Sequence, residues 1–198
     1  MNDVVNKNLL VVLLAEDCRG DAELIRTYSK PFANINWVET LDAALRHLKT
    51  NDTDVIFLDL MLPDAFGAEA VKKIRENTCV PIIVLTGRED EDIYKECILA
   101  GADSVLNKDE LNTKQLFRTI ELSINRRKYL IQKMIDFAES VGIQRDVNDK
   151  TNIEYQKIFE YINGVSSTTE LLIEKLVKIN HNLEIDINED ITHGTTIK

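Results

Sequence analysis

Five polar residues each come at the end of a short apolar run of strand length: Glu16, Asp17, Asp59, Thr86 and Lys108. The carboxyl ends of parallel strands meet at one edge of a sheet, so parallel strands here would bring these side chains together. Three carboxylates that close repel one another and resist ionisation unless a hard cation with oxygen ligands neutralises them. The spacing therefore predicts a cation site at this edge.

Mg²⁺ suits such a site, because it binds through one or two carboxylates, keeps some waters and takes its remaining ligands from a phosphoryl group. A carboxylate such as Asp59 can attack phosphorus to form an acyl phosphate. The Lys108 ammonium would pair with the phosphoryl oxygens, and the Thr86 hydroxyl would donate a hydrogen bond to one of them. The residue types thus indicate Mg²⁺-dependent phosphoryl chemistry.

The surrounding pattern predicts an α/β fold with a doubly wound, five-stranded parallel sheet. Apolar runs alternate with stretches whose apolar residues recur every three or four positions, as in successive βα units around a sheet buried on both faces. The predicted strands are 9–15, 34–38, 55–59, 82–85 and 104–107, and the predicted helices are 21–30, 41–49, 67–76, 91–100 and one beginning near Thr113. These elements fill about the first 128 residues, a usual size for one domain.

Four segments together resemble the receiver domain of bacterial two-component response regulators. They are residues 12–17, residues 59–64 with Gly67 following, residues 81–87, and residues 100–103 leading to Lys108. The resemblance runs from about Leu9 to Lys128 and is specific because each segment lies at its expected strand end. It implies a flavodoxin-like sheet with strand order 2-1-3-4-5.

The resemblance also implies a role for each matching position: Asp59 as phosphoacceptor, Glu16 and Asp17 with the Met61 backbone carbonyl as further Mg²⁺ ligands, Thr86 as the switch hydroxyl and Lys108 as the phosphate-binding lysine. The phosphoryl group would come from a histidine kinase or a histidine phosphotransfer protein. Such a protein is not an enzyme with an external substrate. It catalyses its own phosphorylation and is slowly dephosphorylated by water.

Two positions depart from the family pattern. Val105 stands where the family has a switch aromatic, and a valine cannot rotate between exposed and buried poses as a ring does. Asp109 follows Lys108 where proline is usual, so we expect a trans peptide bond there. The alternatives are that the polar residues only cap turns, or that the chain is a degenerate receiver that takes no phosphate.

Composition fits a soluble cytoplasmic protein without a membrane span. The three cysteines are scattered without metal-ligand spacing, which indicates reduced thiols. The net charge of −10 is shared, because residues 1–128 carry 17 basic and 22 acidic groups and residues 129–198 carry 7 and 12. Neither part is a basic arm that would hold nucleic acid strongly.

We divide the chain into a receiver domain at 1–128, a helical extension and linker at 129–150, and a small module at 151–198. The apolar stripe of the last receiver helix continues past the domain to Val141. Charged residues 126–128 interrupt it, which suggests a solvated junction. Such a stripe packs on a second chain or on the tail, and homodimerisation is slightly favoured.

Within 151–198, two helices joined by residues 164–167 and followed by a predicted hairpin suggest a small α/β module that resembles a winged helix. A DNA-binding transcriptional regulator is therefore one hypothesis. The second helix and the hairpin are rich in acidic residues, which would repel phosphates. A protein-binding or dimer-forming module is favoured, with an unknown protein target.

Overall fold

The structure, a computed structural model, describes residues 9–87, 90–140 and 172–179. Five strands form one parallel sheet: β1 Leu10–Ala15, β2 Ala33–Val38, β3 Val55–Asp59, β6 Ile82–Thr86 and β7 Ser104–Asn107. Their order is β2-β1-β3-β6-β7. Numbered among themselves, these strands have the order 2-1-3-4-5, which confirms the doubly wound prediction.

Five helices connect and cover the strands: α1 Arg19–Ser29, α2 Leu41–Thr50, α3 Ala68–Arg75, α4 Glu91–Leu99 and α5 Thr113–Ser140. Each predicted boundary lies within two residues of the observed one. Two short elements were missed, an antiparallel ribbon of β4 Met61–Leu62 with β5 Ala65–Phe66, and a 3₁₀ helix at Lys108–Glu110. Two-residue strands and a single helical turn are too short to leave a periodic signal.

The sheet separates two apolar cores. One contains α1 and α5 with side chains such as Phe57 and Leu85, and the other contains α2, α3 and α4 with side chains such as Leu58 and Val84. Every residue of β3 and β6 is buried, which explains why these strands are continuously apolar instead of alternating. Burying a side chain such as Phe57 stabilises the fold by about 1.5–3 kcal/mol.

At the amino-terminal edge of the sheet, Asp103 joins α3, β6 and α5. Its carboxylate accepts hydrogen bonds from Arg127 at 2.7 and 2.8 Å, from Arg75 at 2.9 Å and from the backbone amide of Ile82 at 2.8 Å. Arg127 also donates to the carbonyl of Cys79. The predicted solvated junction is therefore wrong for Arg127, whose side chain is only 13% exposed, because it finds this buried acid.

The Arg75 side chain on α3 lies in close contact with the turn before β7. It donates to the carbonyl of Gly101 at 2.8 and 3.1 Å. Gly101 has a φ of 108°, and a Cβ added there would lie 3.0 Å from Arg75 Cγ. Glycine is needed at this position both for its conformation and for the room that it leaves.

Residues 172–179 form a helix, α6, that packs against the receiver of the same chain. Leu172, Leu176 and Ile179 are buried in the α1/α5 core, spaced as one face of a helix. Lys175 donates to Asp54 Oδ2 at 2.5 Å, and the same oxygen accepts from the backbone amide of Val11 at 2.8 Å. This part of the tail therefore packs intramolecularly, just before the start of β3.

The extension of α5 to Ser140 agrees with the predicted long helix. The first tail helix, the hairpin and the linker lie outside the described residues, as do the side chains of Ile131, Ile135 and Ala138 in the apolar stripe. The domain boundaries and homodimerisation stay predictions. In the described ranges, no helix is both long enough and apolar enough to cross a membrane.

Candidate functional site

The parallel strands bring the five predicted residues to one edge of the sheet. Glu16 and Asp17 follow β1, Asp59 and Thr86 end β3 and β6, and Lys108 begins the 3₁₀ helix after β7. The hydrogen bonding between β1 and β2 continues one residue beyond β1, because the amide of Glu16 donates to the carbonyl of Val38 at 3.0 Å. The predicted gathering of these side chains is what the fold produces.

The three acids form a compact oxygen-lined cluster. Glu16 and Asp59 are buried, Asp17 is exposed, and one carboxylate oxygen from each lies within 4.8 Å of the others. Glu16 Oε1 accepts from the amide of Cys18 at 3.1 Å. Its other oxygen is buried and forms an ion pair with Lys108 Nζ at 2.6 Å. Three neighbouring carboxylates offer the hard oxygen donors that fit a Mg²⁺ ion.

Among the described residues, Lys108 is the cation that contacts the acids of this edge. Its Nζ lies 2.6 Å from Glu16 Oε2, 2.9 Å from Asp21 Oδ2 and 3.3 Å from Asp59 Oδ1, and its side chain is 14% exposed. Burial alone would lower the pKa of the ammonium, but the bonds to Glu16 and Asp21 and the charge of Asp59 outweigh burial and raise it. The lysine therefore stays charged throughout the neutral pH range.

The pKa values of the two buried carboxyl groups are raised, whereas an acid that is paired with a cation ordinarily has a lowered pKa. Burial raises the pKa of Asp59, and the Lys108 charge with backbone amides of Leu60 and Met61 only partly offsets it. Burial also raises the pKa of Glu16, helped by the charge of Asp59 and opposed by Lys108. One ammonium does not compensate the negative charge at this edge, so an added cation would be favoured.

Two sets of hydrogen bonds hold the backbone around Met61. Gly67, with a φ of 61°, donates its amide to the carbonyl of Leu60 at 2.9 Å and closes the β4–β5 ribbon. Asp64 accepts from the amides of Leu41 and Asp42 at 2.8 and 2.9 Å, which ties the ribbon to the start of α2. These contacts fix the chain directly after Asp59. The Met61 carbonyl remains a predicted ligand.

Thr86 is buried at the end of β6, beside a cavity of about 260 Å³. The cavity lies between the β4–β5 ribbon and α4, and its lining includes Phe66 from the ribbon and Ile93 from α4. Val105 lies on the neighbouring strand, paired with Val84 and half-buried against the α2/α3/α4 core. The position where the resemblance implies an aromatic residue is thus occupied by a small side chain that packs against this core. The Lys108–Asp109 peptide bond is trans, as expected.

Sequence reasoning missed two residues of this edge. Asp21 pairs with Lys108, but the sequence marked it only as the start of α1, and the rotation of a first helical turn is not fixed by periodicity. Trp37 donates its indole N–H to the carbonyl of Glu16 at 2.6 Å. This second contact could have been predicted, because Trp37 lies near the end of β2, the strand next to β1.

Comparison with known proteins identifies the fold and the family. Residues 12–121 match the model of the response regulator receiver domain. The KDP operon transcriptional regulatory protein KdpE of Escherichia coli is 36% identical over 49% of this chain and 44% of its own length, so this chain spans about half of that relative. The glycerol metabolism activator of Pseudomonas putida is 26% identical over 94% of this chain and 84% of its own length.

Among solved structures, a response regulator receiver domain protein from Clostridium thermocellum superposes with a TM-score of 0.55 at 25% identity, over 62% of this chain and 99% of that one. Since the family model covers more than half of its length, the chain belongs to the response regulator receiver domain family of two-component systems.

Proposed function

We propose that Asp59 accepts a phosphoryl group from a histidine kinase or histidine phosphotransfer protein in a Mg²⁺-dependent reaction. The observation that carries the proposal is the arrangement around Lys108, whose ammonium stands between the buried carboxylates of Glu16 and Asp59 with negative charge in excess. Binding of both a divalent cation and a phosphoryl group would stabilise such a site. The cation neutralises the acids, and the phosphoryl oxygens pair with the lysine.

In the proposed reaction, an Asp59 carboxylate oxygen attacks phosphorus as the bond to the donor nitrogen breaks. The donor imidazole keeps that electron pair, and the product is an acyl phosphate on Asp59. Glu16, Asp17, Asp59 and the Met61 carbonyl would hold Mg²⁺, which supplies charge neutralisation on the transferring oxygens. Lys108 and Thr86 would bind the same oxygens after transfer, and slow attack of water would reset the site.

The signal would leave through altered protein contacts or dimerisation. Thr86 adjoins the cavity beside α4, so a shift of its hydroxyl toward a new phosphoryl group would disturb that surface. Val105 offers no ring to follow this movement, which makes the output depend on Thr86 and α4 instead of an aromatic switch.

The proposal is tested by incubating the protein with Mg²⁺ and acetyl phosphate and measuring intact mass. The wild type should gain one phosphoryl group, and Asp59→Asn should gain none. Asp52→Asn, an exposed acid in the loop before β3, is the matched control and should behave as the wild type. A wild type without mass gain, or a gain that survives Asp59→Asn, would show that the assignment is wrong.

Trp37 provides a second readout on the same site. It is the single tryptophan of the chain, and its hydrogen bond to the Glu16 carbonyl connects it to the acid cluster. We expect its fluorescence to change on addition of Mg²⁺ and again with beryllofluoride, an analogue of the bound phosphoryl group. Asp59→Asn should abolish the second change. Asp52→Asn should leave both changes intact.

A DNA-binding transcriptional regulator is the second candidate, because a named transcriptional regulator and a named activator are among the relatives and the latter aligns along nearly the whole chain. The net charge of −10 counts against it. So does Lys175 in α6, which is paired with Asp54 and so is withheld from phosphates. Fluorescence anisotropy with random duplex DNA at low salt distinguishes the two. Salt-sensitive binding supports the regulator, and its absence with and without beryllofluoride counts against it.

A further inference from the structure

We propose that Asp21 is a positioning residue, which holds the Lys108 ammonium in place when Mg²⁺ and the phosphoryl group occupy its other two carboxylate partners. The inference rests on the proposed function of Asp59. Asp21 is not among the three acids that could share a metal ion, yet it makes a hydrogen bond to Lys108 at 2.9 Å across 87 residues of sequence.

The three partners of Lys108 differ in what happens to them during the reaction. Glu16 and Asp59 belong to the acid cluster, so a cation would draw their oxygens toward itself. Asp59 would in addition lose its charge on the oxygen that becomes esterified to phosphorus. Asp21 alone of these three keeps its charge and its position, and so becomes the remaining carboxylate partner of the lysine.

Asp21 is well placed to act as a fixed point. It lies in the first turn of α1, whose backbone is secured by the hydrogen bond from Ala22 N to Cys18 O at 3.0 Å. Ala22 and Ile25 are buried in the α1/α5 core, which fixes how the helix sits on the sheet. The Asp21 side chain is 43% exposed and lies outside the acid cluster.

An ammonium has three hydrogens and a flexible four-carbon stem. One hydrogen held by Asp21 restricts the stem and leaves the others directed toward Asp59, where the phosphoryl oxygens would be. Without Asp21, the lysine would have to be ordered at the moment of transfer, which slows the reaction. The expected signature is slower phosphorylation and a more reactive Lys108 amine in the presence of Mg²⁺.

The test compares Asp21→Asn with Glu23→Gln. Both remove one negative charge from α1, but Glu23 pairs with Arg19 at the surface and does not touch Lys108. We expect Asp21→Asn to reduce the rate of phosphorylation by acetyl phosphate about fivefold, the scale of a weakened charge-assisted hydrogen bond. Glu23→Gln should match the wild type. Asp21→Glu, which keeps the carboxylate, should restore most of the rate.

A second measurement follows the lysine directly. The full-length proteins are treated briefly with acetic anhydride in Mg²⁺, without a phosphoryl donor, and acetylation of Lys108 is quantified by peptide mass spectrometry. The amine should react about fivefold faster in Asp21→Asn than in the wild type, because a charge-assisted hydrogen bond no longer holds it. Thermal unfolding of each variant confirms that it is folded.

Equal rates of phosphorylation and of Lys108 acetylation in Asp21→Asn and the wild type would overturn this inference while leaving the role of Asp59 intact. So would equal losses in Asp21→Asn and Glu23→Gln, since the effect would then be one of general charge. A wild-type protein that takes no phosphoryl group would overturn the proposed function and this inference with it.

Discussion

The two edges of the sheet hold buried ionic groups in opposite proportions. At the carboxyl edge, the Lys108 ammonium is the cation among the described residues, and it faces three carboxylates within 3.3 Å. At the amino edge, the single carboxylate of Asp103 faces two guanidinium groups within 2.9 Å and a backbone amide. The ionic side chains at the centre of each cluster are nearly equally buried, at 14% and 13% exposure.

The difference separates a structural cluster from a candidate binding site. A buried charge is stabilising only when partners and hydrogen bonds satisfy it, and Asp103 is satisfied from both sides. Lys108 is satisfied as well, but burial raises the pKa values of Glu16 and Asp59 in spite of the lysine. The amino edge is complete as it stands, whereas a further cation would be favoured at the carboxyl edge. Substitutions should therefore affect stability at one edge and ligand response at the other.

We expect the largest loss of stability from Arg127→Leu. It removes two hydrogen bonds from the buried Asp103 carboxylate, which should lower the free energy of unfolding by about 3 kcal/mol. Urea denaturation followed by circular dichroism measures the change. Arg126→Leu, the exposed neighbour on the same helix, should change it by less than about 0.5 kcal/mol. Equal effects of the two substitutions would mean that the amino-edge cluster does not stabilise the fold.

Gly101→Ala should be the next largest. The new Cβ would meet Arg75 Cγ at 3.0 Å, and the residue would have to keep a φ of 108°, so a loss of about 2 kcal/mol is expected. Gly20→Ala is the control, because its Cβ would meet Cys18 Sγ at the ordinary distance of 3.9 Å within α1. That change should stabilise the protein by roughly 0.5–1 kcal/mol. The same denaturation curves give both values.

A smaller effect is expected from Lys175→Met, which breaks the ion pair of α6 with Asp54 but keeps the apolar stem. The free energy of unfolding should fall by about 1–2 kcal/mol, and amide hydrogen exchange at residues 172–179 should become faster. Lys178→Met, exposed on the same helix, should change neither quantity. Unchanged exchange in Lys175→Met would contradict the role of this pair in docking the tail.

The smallest change in stability is expected at the carboxyl edge. Burial raises the pKa of Asp59 in the folded protein, so the folded state binds this proton more tightly than the unfolded state. This group therefore favours folding most at acid pH, and stability is lost as pH rises through the raised pKa. In metal-free solution, Asp59→Asn should be more stable than the wild type near neutral pH.

The difference between Asp59→Asn and the wild type should shrink as the pH falls below the ordinary carboxyl range, where both side chains are neutral. Melting temperatures measured across this range test the sign, with Asp52→Asn as the exposed control. A metal-free wild type that is more stable than Asp59→Asn at neutral pH would mean that Lys108 fully compensates the acids. The contrast between the two edges would then disappear.

The residues at the strand ends could be predicted from the sequence, but the contacts between elements could not. Parallel topology alone brings Asp59, Thr86 and Lys108 to one edge, so strand-end chemistry could be predicted without knowing any side-chain rotamer. Asp21 reaches Lys108 from a helix whose rotation depends on how Ala22 and Ile25 pack. That information is tertiary and is absent from a local pattern.

The same limit explains Arg127 and α6. A run of charged residues in a helix indicates an exposed face, and only the approach of Asp103 from another element makes Arg127 an internal residue. The apolar face of α6 could be predicted from its spacing, and Leu172 and Leu176 are indeed buried. Val177, another apolar residue of the same helix, is 65% exposed, because spacing does not say which surface will cover a helix.

The anchored α5 helix also has a mechanical consequence. At 1.5 Å per residue, its 28 residues span about 42 Å, and the part beyond Arg127 reaches about 20 Å further. Tyr129 and Leu130, just past the anchor, are 62% and 49% exposed. If α5 tilts as a rigid rod about Arg127, the displacement is largest at its end, and a tilt of about 5° would move Ser140 by about 2 Å.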